Sequence, residues 1–251
     1  MSAQFSKSSA TTYRFQRYYI GLQEGHTLTV KQKREAPQPI HMLQGDVQSC
    51  CGLLCVCMVV SIMALAKPSA LMHLTRRKYG TAARIWEAMQ PYYYTGVTGP
   101  ELKAAIDGLD LPLRLTMRHC NEDKTAHSTS AASVSEFAVK KLGDGVLTML
   151  AYRSLKNRHA HWQLGTGVGG FTTGKSSQID TLLTLDPAEA APHWSHSNSR
   201  LRMPDSKAEQ RAGHWTMDGP GCSTPEPVRL ISAIAFESFD WQPDYWMRAV
   251  L

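Results

Sequence analysis

A Cys-Gly pair, Cys51-Gly52, opens the longest apolar run of the chain, CGLLCVCMVV. A thiol in that place would stand at a helix N-terminus, where free backbone N–H groups and the helix dipole favour its thiolate. A thiolate nucleophile needs two partners. One is an imidazole to exchange the proton; the other is a carboxylate or amide to orient that imidazole. Both occur downstream in strand-like surroundings. A His lies in the alternating stretch HAHWQLGTG at 159–167, and an Asp-Pro closes the apolar run LLTLDP at 182–187. The chemistry these residue types predict is attack of a thiolate on a carbonyl carbon.

Positioning such groups calls for a buried helix followed by strands. From Cys51 to about Ala66 the chain is apolar on all sides, as in a helix surrounded by its own domain, and Pro68 is expected to end it. Residues 53–66 fall short of the ~20 apolar residues needed to cross a bilayer, so no membrane span is expected. Ahead of the helix, residues 12–31 read as a strand pair turning at Glu24-Gly25. An extended lead follows, where Pro37 and Pro39 disfavour helix. TAARIWEAMQPYY and TGPELKAAIDGL read as helices, the second with Thr98 and Pro100 in capping positions. LPLRLTMRH reads as a strand, and TSAASVSEFAVKKLGDG as a helix ended by Gly143. VLTMLAYRSL, HAHWQLGTGV, IDTLLTLD and VRLISAIAFESF read as strands. Residues 188–226 are polar, lack a period and are long for a loop, so a mobile flap beside the site is expected there. Helices lead and strands follow. The predicted class is α+β, with a buried N-terminal nucleophile helix and an antiparallel sheet. Residues 1–11 are expected as a disordered tail, and 12–251 as a single domain.

CGLLCVCMVV resembles the nucleophile helix of the papain-like cysteine peptidases that remove double-glycine leader peptides from bacteriocins. That family places a Gln a few residues before a Cys-Gly pair, then a second Cys and a Met farther along the helix. Gln44, Cys51-Gly52, Cys55 and Met58 take those places here, with Gln44 seven residues before Cys51 and six before Cys50. HWQLGTGV is similar to the family's His strand, and LLTLDP to its strand ending in Asp-Pro. The resemblance covers residues 44–66 and 145–187. It implies a papain-like fold, from which this sequence departs by GGFTTGKSSQ, read as an insertion between the His and Asp strands. It also implies Cys51, His161 and Asp186 as a catalytic triad, with Gln44 in the oxyanion hole. The expected function is that of a bacterial thiol protease, a hydrolase cutting a peptide or isopeptide bond of a protein or peptide substrate without cofactor or metal.

Two other readings use the same residues. Papain-like sites also carry out other acyl transfers, such as deamidation or transglutamination, because fold does not set substrate. A cysteine-rich helix that is only core would instead belong to a non-catalytic binding protein. Cys50 is the rival nucleophile; Cys51 is preferred because Gly52 would let a substrate backbone approach closely. Cys55 and Cys57 are expected in the core. Asp180 is the fallback for Asp186, and His159 is a rim residue on the strand face of His161. His193, His196 and His214, with Trp194 and Trp215, are expected on the surface of the flap rather than around a metal.

Six cysteines, four of them within residues 50–57, lack both paired zinc spacing and the layout of a disulfide framework. A reducing compartment is expected, either the cytoplasm or one reached by a specialised secretion route. MSAQFSKSSATT contains no apolar segment of the kind a Sec signal peptide requires. The net charge of +6 is scattered and no aromatic-studded basic motif accompanies it, which disfavours nucleic acid as a partner.

Overall fold

A computed structural model of the chain describes residues 11–30, 36–45, 49–120, 129–220 and 224–239; all of the expected tail except Thr11 lies outside them. Strand β1 (Thr12–Tyr18) is followed by three two-residue strands, β2 (Leu22–Gln23), β3 (Thr29–Val30) and β4 (Gln38–Pro39), which pair in that order as a small antiparallel sheet. Helices α1 (Cys51–Ile62), α2 (Pro68–Leu71), α3 (Gly80–Met89) and α4 (Gly99–Asp107) come next. Then follow β5 (Leu113–His119), α5 (Ala131–Gly143), β6 (Leu147–Ser154), β7 (Ala160–Thr173) and β8 (Ser176–Leu185). The described chain ends with β9 (Ser199–Arg202), α6 (Lys207–Arg211), β10 (His214–Asp218) and β11 (Glu226–Ser238).

Strands β7, β6, β11, β10, β9 and β8 pair in that order, all antiparallel, and β8 pairs back with β7. Six strands therefore close into a barrel. The two longest strands carry the branches. β7 pairs with β6 through residues 160–165 and then with β1 through 167–173; a register shift lies between Gly165 and Gly167. β11 pairs with β10 through 226–229 and with β5 through 232–238, and its bulge lies between Leu230 and Ser232. A bulge bends its strand and sharpens the local twist, which lets one strand change partners at that point.

The expected papain-like α+β fold with an N-terminal nucleophile helix is not the fold of this chain. The structure is mostly β, with 28% of the chain helical, and α1 enters only after four strands. The difference arises in residues 188–226. That stretch, expected as a flap, supplies β9 and β10, two staves that close the sheet. Ser199 and Leu201 are buried in β9, Trp215 and Met217 in β10, alternating with more exposed neighbours. A period of two was present but short, and its polar half masked it. Likewise GGFTTGKSSQ is not an insertion between strands. It forms the paired ends of β7 and β8, in register up to Thr173 opposite Ser176.

Two apolar clusters lie on opposite faces of the sheet. On one face Cys55, Val56 and Met58 of α1 join Met149, Ala151, Trp162 and Leu164. On the other, Val134, Ala138 and Leu142 of α5 join Leu150, Tyr152, Val168 and Trp215. Alternate residues of β6 serve both clusters, so that strand reads as a continuous apolar run. Helix α1 is buried everywhere except at Leu54. Its valines are weak helix formers, and packing rather than propensity holds it. It ends earlier than expected. Ala64 takes a left-handed φ of 57° and the Leu65 N–H returns to the Val60 carbonyl at 2.8 Å. Pro68 instead opens α2.

Candidate active site

Cys51 is the first residue of α1, and Cys50 is its N-cap. The first turn holds no acidic side chain, so the positive end of the helix dipole is left to an anion at Cys51. His161 is the second residue of β7, and Asp186 follows β8 directly. Because Leu164 faces Leu185 across these strands, the two polar groups emerge near the same end of the hairpin. His161 Nε2 lies 2.6 Å from Asp186 Oδ1, with both side chains under one-tenth exposed. That leaves the other ring nitrogen for the Cys51 thiol, which is hydrogen-bonded to His161.

The electrostatics single out one thiol. Burial pushes Cys51 up, but the His161 hydrogen bond and charge, with backbone hydrogen bonds at Trp162 and Gly52, bring it below the ordinary thiol value. His161 runs the opposite way: burial disfavours its cation, yet Asp186 and Cys51 together raise it. Burial also works against the Asp186 carboxylate, which His161, the Ala188 N–H and Gln163 nonetheless hold below its usual range. Thiolate, imidazolium and carboxylate are thus mutually stabilising. Cys50 behaves differently, pushed up to about 11 by burial and by the neighbouring Cys51. Burial likewise takes Cys57 to about 12 and Cys55 well above the usual value. All four, and Cys120, are free thiols.

Two supporting residues went unread in the sequence. Gln163 donates Nε2 to Asp186 Oδ2 at 2.6 Å and accepts from Thr184 Oγ1 at 2.9 Å. It stands two residues beyond His161, and strand alternation would have placed it on the same face. Asn198 accepts the Asp186 N–H through Oδ1 at 2.7 Å and donates Nδ2 to the Asp186 and Ala190 carbonyls at 3.0 and 2.9 Å. No motif marks it, because it lies in the stretch read as a flap.

A cleft of about 650 Å³ opens over Cys51 and His161, and Gln44 lines it. The Gln44 N–H bonds the Pro187 carbonyl at 2.7 Å, tying the lead segment to the residue after Asp186. The seven-residue interval from Gln44 to Cys51 predicts an irregular turn at 45–48, of which only Gly45 is among the described residues. Across the cleft, Trp162 Nε1 donates to the Val97 carbonyl at 2.9 Å. Gly52 packs against the same lip, where a Cβ would come within 2.6 Å of Val97 Cγ1. Glycine at 52 thus serves the packing of α1 on this lip.

No protein-family model matches this chain, and no curated protein matches it.

The remaining candidates fall elsewhere. Asp180 pairs with Arg14 at 2.6 Å rather than with His161. His159 lines the cleft, its ring stacked on that of His161 at 6.3 Å between centroids. His193 bonds the His26 carbonyl, His196 stacks on Tyr18, and His214 lies 3.4 Å from an Arg229 nitrogen. Among the described residues no group of three or more His, Cys, Asp or Glu is arranged to hold a metal ion. No helix among them is long and apolar enough to cross a membrane.

Proposed function

We propose that the protein is a cysteine peptidase, a thiol hydrolase that cleaves a peptide or isopeptide bond in a protein or peptide substrate. The observation carrying this reading is the unbroken chain of hydrogen bonds from Cys51 through His161 to Asp186, set at the positive end of a buried helix beneath an open cleft. The Cys51 thiolate attacks the carbonyl carbon and a C–S bond forms. The developing oxyanion is met by the Gln44 side-chain amide and the Cys51 backbone N–H, a single such donor being worth about 3–4 kcal/mol. The His161 imidazolium gives its proton to the leaving amine as the C–N bond breaks. The neutral imidazole then takes a proton from water, which attacks the thioester and releases the thiolate. Asp186 holds the ring orientation throughout.

Iodoacetamide labelling read by peptide mass spectrometry tests the nucleophile. A cysteine whose pKa is lowered is already a thiolate where ordinary thiols remain protonated. Cys51 is therefore expected to react roughly tenfold or more faster than a free thiol at pH 6, and Cys50, Cys55 and Cys57 more slowly. Its labelling rate should rise through the depressed thiol value and then level off. Hydrolysis also needs the imidazolium, so it should decline as pH rises through the raised His161 value. Cys51→Ala should abolish fast labelling and the release of new peptide termini from a protein pool, while Cys50→Ala keeps both. Uniformly slow labelling, or loss of reactivity in Cys50→Ala alone, would sink the proposal.

A further inference from the structure

Beyond Cys51 the cleft crosses the α1 side of the sheet along one row of paired residues: Trp162 on β7, Ala151 on β6, Ser232 on β11 and His119 on β5. Ser232, in the far part of that row, has no part in the proposed triad. It is fully buried and lines the cleft, yet its hydroxyl has no hydrogen-bond partner among the described residues. A buried hydroxyl left unpaired costs about 1–3 kcal/mol, which a bound ligand would relieve. The bulge of β11 immediately precedes it, and bulges commonly re-aim a side chain beside a site.

Three further features meet at this recess. Gly99, the first residue of α4, abuts it so closely that a Cβ there would run into Ser232 Oγ and lie 3.1 Å from His119 Nδ1. The positive end of a nine-residue helix therefore borders the recess. Glu101, the acidic residue of that first turn, is turned onto its own cap and accepts the Thr98 N–H at 2.9 Å. Arg153 stands two residues along β6 from Ala151, on the same strand face, and lines the cleft as well. Among the described residues no Asp or Glu lines it.

We infer that Ser232, His119, Arg153 and the start of α4 form a carboxylate-binding subsite, and that the peptide cut at Cys51 carries a carboxylate a few residues from the bond. The first half stands on the recess alone; the second rests on the peptidase reading above. A guanidinium and a hydroxyl suit the two oxygens of a carboxylate. Ser232 lies two strand spacings from Trp162, about 10 Å, which is roughly three residues of extended peptide. The carboxylate comes either from an acidic side chain or from a free C-terminus.

Calorimetric titration of the full chain separates these possibilities without any need for turnover. The probes are N-acetylglycine, which carries only an α-carboxylate; N-acetylglutamic acid α-amide, which carries only a side-chain carboxylate; and the neutral N-acetylglutamine amide. At least one acid should bind in the millimolar range, with the neutral amide roughly tenfold or more weaker, and the stronger acid identifies the source. Arg153→Gln should weaken acid binding about tenfold, and Ser232→Ala, which retains a small side chain, several-fold. If Arg153→Gln does not fold, Arg153→Lys and Ser232→Ala carry the comparison. Equal binding of the neutral amide, absence of binding by both acids, or folded variants that bind them unchanged would overturn the subsite. Slow labelling of Cys51 together with intact, Arg153-dependent acid binding would remove the peptidase reading and leave the subsite standing.

Discussion

Asp186 is almost sealed from solvent, and its charge depends on the groups around it: His161, Gln163 and the Ala188 N–H. Gln163 is the informative residue to change, because its side-chain hydrogen bonds go to Asp186, Ser199 and Thr184. Gln163→Ala takes a donor from Asp186 Oδ2 and an acceptor from Thr184, both buried, and should cost about 1–3 kcal/mol of stability. It should also slow Cys51 labelling, since a weaker carboxylate supports the imidazolium less. The pH dependence follows from linkage. The folded Asp186 value lies below 3.8, so its contribution to stability is present above that value and is lost as pH falls through the folded one. In Gln163→Ala the folded value moves up, and the acid loss of stability should begin at higher pH. Urea midpoints measured from neutral pH into the acid range check this; identical profiles for the two proteins would refute it.

At the level of elements, the close approach of β1 to β7 is made possible by glycine. A Cβ at Gly167 would run into the Arg17 carbonyl and lie 3.1 Å from the Tyr18 Cα, both backbone atoms of β1. Backbone cannot swing aside as a long side chain can. Gly167→Ala should therefore lift the end of β1 from the sheet and destabilise the fold by about 1–3 kcal/mol. The Tyr19 N–H, bonded to the Thr166 carbonyl at 2.8 Å, and the amides of β1 should exchange faster with deuterium. Helix α1 packs on a different part of β7, so Cys51 labelling should survive. Unchanged exchange in β1 would mean the strand does not depend on that approach.

For the whole molecule, barrel closure and the site share the same strands. Trp215 on β10 is buried at 2% exposure, and its Nε1 donates to Ser135 Oγ of α5 at 2.9 Å, so it joins a closing stave to the helix packed on the sheet. Trp215→Ala should cost about 3–5 kcal/mol. Deleting residues 196–222 and bridging the gap with a short Gly/Ser linker removes β9, β10 and Asn198 together. That deletion should unfold the protein globally, with near-UV circular dichroism lost and the remaining cysteines labelling alike. A cooperative unfolding transition at the parent midpoint would show that closure is dispensable.

Local patterns determined much of what could be read before folding. The all-apolar run predicts α1, Thr98 and Pro100 suit the start of α4, and apolar runs and alternation predict β6, β7 and β11. The order of a thiol, an imidazole and a carboxylate along the chain also pointed to the three groups that the structure brings into hydrogen-bond contact. Each signal lies within one segment, where side-chain periodicity reports which face is buried. Periodicity does not say what covers that face. The closed barrel depends on pairings as distant in sequence as Leu147 with Phe236, and on two short strands whose polar halves hide their alternation. The electrostatic contrast between Cys51 and Cys50 is likewise tertiary. Both thiols lie at the start of the same helix, and both lose solvation on burial. Only Cys51 meets His161, itself held by a carboxylate twenty-five residues farther on, and that contact is made by the fold.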